Sequence, residues 1–190
     1  MESGEPLSVG NGAPTLVREA LAQRTVVIGN SGSGKSDFAE SLATMVHAPV
    51  VELDLLHWED AGFGVKRNEE NAVQMVSDAI EAPLWIVEGV YGWLAEVALS
   101  NATALVWLDL PWSVCRQGLL ARGPRRGASE ASFAALVKWA EEYWERRTSS
   151  SFDGHLSLFH GFCGEKLRLR DRNEVRELLS LLSPDSDVTE

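Results

Sequence analysis

The stretch "RTVVIGNSGSGKSDFAESLATMVH", residues 24–47, decides the fold of this chain. It opens with the apolar run "TVVI", which suits a buried strand, and it ends in a segment whose apolar residues recur at helical spacing. Between the two lies "GNSGSGKS", residues 29–36. This matches the P-loop (Walker A) pattern of Gly, four residues, Gly, Lys and Ser, in the strand–loop–helix context that the motif requires. The stretch therefore predicts a phosphate-binding loop.

The residue types in this loop suit the binding of a nucleoside triphosphate. Gly32 and Gly34 allow successive backbone N–H groups to turn inward as an anion nest, and the following helix adds the positive end of its dipole. Lys35 is expected to reach the β- and γ-phosphates, and the Ser36 hydroxyl is expected to coordinate Mg²⁺ as the metal ligand. The predicted nucleotide-binding residues are Gly29, Asn30, Ser31, Gly32, Ser33, Gly34, Lys35 and Ser36.

The composition argues against several classes of protein. A chain of 190 residues can bury a core without a disulfide or a metal. Its net charge of −11 disfavours nucleic acid as a partner, because affinity for nucleic acid comes mainly from Lys and Arg on phosphates. The two cysteines, Cys115 and Cys163, lack CxxC spacing, and no stretch reads as a signal peptide or a membrane span. We therefore expect a cytoplasmic protein with reduced thiols that does not bind membranes.

Short apolar runs alternate along the chain with longer amphipathic segments. This alternation predicts parallel strands joined by crossover helices, and hence an α/β fold with a three-layer α/β/α sandwich. We expect a single domain over residues 14–183, with disordered tails at 1–13 and 184–190. Helices are predicted near residues 35–47, 69–81, 93–99, 112–122, 130–147 and 173–182.

Ligands of parallel α/β sheets collect at the carboxyl ends of the strands. The residues that follow the apolar runs are Gly29, Asp54, Glu88, Asp109, Arg170 and Asp171. Asp54 is predicted to orient an acceptor hydroxyl or hold a metal-bound water, with helix capping as the alternative. Glu88 is predicted to be a metal partner or a base, with a structural ion pair as the alternative. Nearby, Trp58 is a candidate to stack on a planar ligand, whereas His57 is expected to be a packed or surface imidazole.

Basic residues concentrate in one segment of this acidic chain. Between residues 111 and 150 there are seven Lys and Arg against four Glu. Gly123 and Gly127 flank Arg125 and Arg126, and Arg122 directly precedes Gly123, so we expect a lid near 122–129 that can open and close. Guanidinium groups there would neutralise the charge that spreads over a phosphoryl group in transfer. A solvated basic face is the alternative.

With these residues identified, the chain resembles the adenylate-kinase-like P-loop kinases, and most closely their small members known as topology modulation proteins. The resemblance covers roughly residues 25–182 and rests on "GNSGSGKS", "LDLLHW", "WIVEGVYG", "WLDLPWSVCRQGLLAR", "KWAEEYWERR" and "KLRLRDRNEVREL". It implies a central parallel sheet of five strands, a mobile lid carrying arginines, and ATP with Mg²⁺, but no particular acceptor. That subgroup often has Asp-Gly-Asn-Tyr where this chain has Glu-Gly-Val-Tyr at 88–91, so altered acceptor contacts are expected.

Motifs and resemblance together favour a phosphotransferase that uses ATP and Mg²⁺. Its partners would be a nucleoside triphosphate and a small-molecule acceptor, such as a nucleoside, a nucleotide or a similar metabolite. The alternative is a regulatory P-loop NTPase or nucleotide-binding module with slow hydrolysis and no acceptor. The acceptor and the choice between ATP and GTP stay open. The predicted catalytic residues are Lys35, Asp54, Glu88, Arg122, Arg125 and Arg126.

Overall fold

The computed structural model describes residues 13–59, 64–125 and 127–183. Its strands are β1 (Arg24–Gly29), β2 (Val50–Glu52), β3 (Trp85–Gly89), β4 (Ala104–Leu108) and β5 (Glu165–Leu169). Its helices are α1 (Ala13–Leu21), α2 (Lys35–Val46), α3 (Leu53–His57), α4 (Glu69–Ala79), α5 (Gly92–Leu99), α6 (Trp112–Arg122), α7 (Glu130–Glu141), α8 (Phe152–Gly161) and α9 (Arg172–Leu182). The predicted C-terminal tail, the N-terminal tail up to residue 12, and Arg126 lie outside the described residues. None of the described helices is both long enough and apolar enough to cross a bilayer.

The five strands form an all-parallel sheet in the order β2-β3-β1-β4-β5. The strand that leads into the phosphate loop, β1, is therefore central, and Val27 pairs with Glu88 on one side and with Val106 on the other. Because the strands are parallel, the loops that follow them meet at one edge of the sheet. The phosphate loop thus has β2 and β3 on one side and β4 and β5 on the other.

Both faces of the sheet are covered by helices, which makes three layers. Alternate residues of β1 point to opposite faces, so that Val26 and Ile28 join one core and Val27 joins the other. The first core is closed by α4, α5 and α8, and the second by α1, α2 and α9. The predicted three-layer sandwich with five parallel strands is confirmed.

The long helix predicted over 130–147 was wrong in its last third. The α-helix ends at Glu141 and continues only as a 3₁₀ turn over Glu142–Trp144. That turn directs Tyr143 into the core, where its hydroxyl lies 2.6 Å from Nδ1 of the buried His155. Leaving either of these buried groups without a partner would be costly. The hydrogen bond between them therefore stabilises the turn more than the helical spacing of the sequence favours a continued α-helix.

Helices α1, α3 and α8 were not predicted. The most consequential is α3, because β2 stops at Glu52 and Asp54 lies in the first turn of a five-residue helix instead of at a strand end. Gly89 permits this arrangement, since a Cβ atom there would lie only 2.6 Å from the Cβ of Leu53. The close approach packs α3 against the end of β3.

Candidate active site

The phosphate loop has the backbone geometry of an anion nest. Gly32 and Gly34 have φ angles of 80° and 85°, in the left-handed region that glycine adopts without strain. The Ser33 N–H donates to the Asn30 carbonyl at 3.2 Å, and the Phe38 N–H donates to the Gly34 carbonyl at 3.0 Å. The loop therefore turns directly into α2, as the sequence predicted.

Helix α6 packs so closely on this loop that glycine is required on both sides. A Cβ atom on Gly32 would overlap the Cys115 carbonyl, and a Cβ atom on Gly118 would overlap the Gly32 carbonyl. The backbone of α6 thus supports the loop from behind. The Cys115 thiol is buried there, and burial raises its pKa to about 11, which makes it a packing group.

Asn30, one of the predicted nucleotide-binding residues, fixes the loop to the end of α7. Its side-chain amide donates to the Ala140 carbonyl at 2.8 Å, and its side-chain oxygen accepts from the Ser31 N–H at 2.8 Å. Both polar atoms of the side chain are therefore engaged within the protein. The side chain of Asn30 anchors the loop in this structure.

Ser36 and Glu88 are brought into contact, although 52 residues separate them in the sequence. The Ser36 hydroxyl donates to Oε1 of Glu88 at 3.0 Å. The second oxygen, Oε2, is buried and has no hydrogen-bond partner among the described residues. Lys35 is also buried, with 7% of its surface exposed, and its charge acts on the same carboxylate. A hydroxyl, a carboxylate and an ammonium group thus converge behind the phosphate loop.

The environment of Glu88 acts on its protonation in opposite directions. Burial raises the pKa of Glu88, because only 3% of the residue is exposed and the charged form loses hydration. The negative charge of Asp54 also raises it, whereas the charge of Lys35 and the Ser36 hydrogen bond lower it. The net result is a raised pKa, as expected for a carboxyl group that can exchange a proton.

Arginines line the phosphate loop where the end of α6 and the start of α9 meet it. A cavity of about 120 Å³ opens there, lined by Gly32, Gly34, Lys35, Ser36, Asp37, Gly118, Arg122, Arg125 and Arg172. Two of the three predicted lid arginines, Arg122 and Arg125, are thus brought to the loop, and the third, Arg126, lies outside the described residues. Partial burial and the charge of Arg125 lower the pKa of Arg122, whereas Asp54, Asp37 and Glu88 raise it. The Arg122 guanidinium therefore interacts electrostatically with both predicted acidic site residues, Asp54 and Glu88.

Arg172, which the sequence reasoning missed, lies against the loop as well. Its Nη1 donates to the Ser33 carbonyl at 2.9 Å, and a Cβ atom on Gly34 would overlap this guanidinium. A usable signal was present, because Arg172 follows β5 by three residues and so lies at the same edge of the sheet. The sequence pattern instead indicated its neighbours Arg170 and Asp171 as the residues that follow β5. Of these, Asp171 caps α9, accepting from the Asn173 and Glu174 N–H groups at 2.7 and 2.9 Å.

On the β2 and β3 side, an aromatic cluster lies next to Asp54. The rings of His57 and Tyr91 are stacked, with centroids 3.9 Å apart, and Trp58 meets His57 edge-on at 4.7 Å. The ring nitrogen Nδ1 of His57 is buried and has no hydrogen-bond partner among the described residues. Burial and the charge of Lys66 lower the pKa of His57, which keeps the imidazole neutral near pH 7.

Two further polar groups, Asp109, which the sequence placed at this edge, and His155, are engaged in the scaffold. Asp109 follows β4 and forms an ion pair with Arg168, whose Nη2 lies 2.7 Å from its Oδ2. His155 bonds to Tyr143 through Nδ1 and lies 3.0 Å from the Val90 carbonyl through Nε2. Burial lowers the pKa of His155 to about 4, so it stays neutral and ties α8 to the loop after β3.

Comparisons with known proteins agree with this architecture. A gluconokinase from Sinorhizobium meliloti 1021 has a similar structure, with a TM-score of 0.53 and 21% sequence identity over 85% of this chain and 92% of that one. A shikimate kinase from Bacteroides thetaiotaomicron has a TM-score of 0.51 and 15% identity over 84% of this chain and 96% of that one. No protein-family model matches the chain.

Part of the chain is also similar in sequence to a larger protein. The ATP-dependent protease ATPase subunit HslU of Exiguobacterium sibiricum is 35% identical over 75 residues, which amount to 40% of this chain and 16% of HslU. The chain therefore spans a small part of that relative's length. Together with the all-parallel sheet, these likenesses define the fold class: the chain has the fold of the P-loop kinases, as predicted.

Proposed function

We propose that this protein is a phosphotransferase that moves the γ-phosphoryl group of ATP to a small-molecule acceptor. One observation carries the proposal: cations line the phosphate loop on one side, while two carboxylates lie next to it on the other. Arg122 and Arg125 share a cavity with Lys35, and Asp54 acts on both Arg122 and Glu88. A nucleotide sensor would need only the loop and a metal partner.

The loop residues would hold the triphosphate and its metal. The Ser36 hydroxyl and Oε1 of Glu88, which it contacts, are oxygen donors of the kind that Mg²⁺ prefers. The donor set therefore fits Mg²⁺, which would neutralise charge on the phosphates when bound. Lys35 would follow the charge that develops on the γ-phosphate.

The two carboxylates would position the acceptor. Asp54 lies on α3, beside Glu88, and a carboxylate there can orient a hydroxyl and accept its proton as the new P–O bond forms. The raised pKa of Glu88 suits a group that exchanges protons, so either carboxylate can serve as the base. The arginines at 122, 125 and 126 belong, in this proposal, to a lid over 122–129 that closes on the transferring group.

We also propose that the chain belongs among the topology modulation proteins, which its motifs resemble. In addition, we propose that it forms a single domain over residues 14–183 and is located in the cytoplasm. Gluconokinase and shikimate kinase are named for small acceptors, which supports a small acceptor here. The rival reading, a regulatory NTPase with slow hydrolysis, predicts no acceptor at all.

Transfer from γ-labelled ATP tests the proposal. We expect at least one member of a panel of nucleosides, nucleoside monophosphates and small hydroxylated metabolites to take up label, beside a water-only control. Asp54→Asn should lower that transfer by about 10²- to 10⁴-fold, as is typical of acid–base groups, while ATP binding measured by calorimetry changes little. If no acceptor raises ATP consumption above the water control, and Asp54→Asn leaves the basal rate unchanged, the regulatory NTPase is the better account.

A further inference from the structure

The carboxyl edge of the sheet is divided by charge, with the phosphate loop between the two halves. On the β4 and β5 side, Arg122, Arg125 and Arg172 line the cavity next to the loop. On the other side lies the Glu88 carboxylate, and the charges that act on Glu88 and His57 are the carboxylates of Glu52, Asp54 and Glu69 and two ammonium groups, Lys66 and, from the loop, Lys35. A polyanion is therefore favoured on the first side and repelled on the second.

The sequence of the second side contains few cations that could reverse this. Residues 50–59 include three acidic residues and no Lys or Arg, and residues 85–99 include two acidic residues and no Lys or Arg. Of the two basic residues that follow, Lys66 and Arg67, Arg67 is bound to Glu59 at 3.2 Å and donates to the carbonyls of Leu56 and Trp58 at 3.1 and 3.0 Å. Its guanidinium is thus held within the protein, which leaves Lys66 as the ammonium facing this side.

Two buried polar atoms on this side point to a ligand that forms hydrogen bonds. They are Oε2 of Glu88 and Nδ1 of His57, both without a hydrogen-bond partner among the described residues. The two residues are only 3% and 8% exposed, so bulk water does not readily satisfy them. A ligand hydroxyl can donate to the carboxylate and bond to the neutral imidazole, whereas a ligand carboxylate cannot donate to either.

We propose that the phosphoryl acceptor is an uncharged hydroxyl compound with a flat or apolar face, of the nucleoside or neutral sugar type. This inference rests on the proposed function and narrows it to one substrate class. Carboxylates and phosphate monoesters are disfavoured by the carboxylates at Glu52, Asp54 and Glu88, because Arg122, which interacts with Asp54 and Glu88, lines the cavity at the phosphate loop, and Arg67 is bound within the protein. In this proposal the half-buried ring of Tyr91, which is stacked on the buried His57, contacts the flat face.

Matched acceptor pairs that differ in charge test this directly. Thymidine is compared with thymidine monophosphate, and glucose with gluconate, in two assays: calorimetric binding with the β,γ-imido analogue of ATP and Mg²⁺, and initial rates of transfer from ATP. The neutral member of at least one pair should bind and react at least about tenfold better than its anionic partner, and the pair that responds identifies the nucleoside or the sugar class.

The two assays separate this inference from the proposed function. Binding of a neutral member without transfer contradicts the phosphotransferase but supports the uncharged site. Equal or better binding or transfer of the anionic members, or no binding of either neutral member, overturns the inference. Transfer to an anionic member alone would uphold the phosphotransferase and reject the acceptor class.

A charge variant supplies a second test. The charge of Glu69 raises the pKa of His57, whereas the adjacent, exposed Glu70 is not one of the charges that shift it. Glu69→Lys should therefore reduce the discrimination against the anionic acceptor about two- to fivefold at low salt, with a smaller effect at high salt, and Glu70→Lys should change it less. Equal effects of both variants would mean that general surface charge, and not this site, sets the selectivity.

The imidazole can be tested without disturbing its stacking. His57→Phe keeps a ring against Tyr91 but removes both nitrogens, so KM for the neutral acceptor should rise about tenfold while KM for ATP is unchanged. His160→Phe, an exposed position on α8, is the matched control. A fall in kcat/KM for ATP and acceptor alike would assign His57 a structural role only.

Discussion

At the scale of single residues, Glu88 is placed where function and stability conflict. It is buried at the end of β3, shares a hydrogen bond with Ser36, and feels Asp54 as a second negative charge. Carboxyl groups in such surroundings are costly to ionise, and they are common where a protein must bind a metal or move a proton. Glu88 is thus expected to lower stability at neutral pH in return for its chemical role.

Because burial of the charged carboxylate is costly, Glu88→Gln should stabilise the ligand-free protein at pH 7 while abolishing phosphoryl transfer. Burial raises the pKa of Glu88 in the folded state, so folding favours its protonated form. This contribution to the free energy of unfolding is fully present below pH 4.5, the pKa of Glu88 in the unfolded chain. It is lost as the pH rises through the higher pKa of Glu88 in the folded protein. We expect Tm at pH 7 to rise by about 2–4 °C, or about 1 kcal/mol for a chain of this length, with the gain vanishing below pH 4.5.

Thermal melts between pH 4 and 8 check this, with Glu96→Gln on the exposed face of α5 as the control. A lower Tm for Glu88→Gln at pH 7, or a gain that does not vary with pH, would contradict it. The first result would mean that attraction to Lys35 outweighs the cost of burial.

At the scale of elements, the contact between α6 and the phosphate loop is the tightest support of the site. Cys115 and Gly118 of α6 are at this contact, and Gly118 also lines the cavity together with Arg122, which lies one turn further along the helix. Helix α6 also leads into the proposed lid, so one helix touches both the phosphate loop and the segment that would close over it. A change in the spacing between helix and loop should therefore affect nucleotide binding directly.

Gly118→Ala tests this contact. A Cβ atom there would overlap the backbone carbonyl of Gly32, which cannot yield as a flexible side chain could, so the loop or the helix must shift. We expect affinity for ATP to fall by at least about tenfold and Tm to fall as well, because overpacking of this kind costs about 1–3 kcal/mol. Gly161→Ala in α8 is the matched control, since a Cβ atom there meets nothing within 4 Å. Unchanged ATP affinity in Gly118→Ala would show that the contact does not set the shape of the loop.

At the scale of the whole molecule, the alternation of the strands with six of the nine described helices could be predicted, because most of the strands are short apolar runs between amphipathic segments. The phosphate loop could be predicted because its residue types and spacing are demanding. Helix α3 could not, because five residues show no helical period and its position depends on a tertiary contact between Leu53 and Gly89. The roles of Arg172 and His57 also depend on which elements meet in space, and local sequence does not contain that information.

The central claim of this account is that the phosphate is transferred and not only held. The most direct measurement is ³¹P NMR of the protein with ATP, Mg²⁺ and a neutral acceptor, because a phosphate monoester and inorganic phosphate give separate resonances. We predict that the γ-phosphorus appears mainly in a monoester, and that Lys35→Ala, which removes the buried cation of the loop, suppresses its formation. Inorganic phosphate as the sole product with every acceptor, or a monoester formed equally well by Lys35→Ala, would contradict the claim.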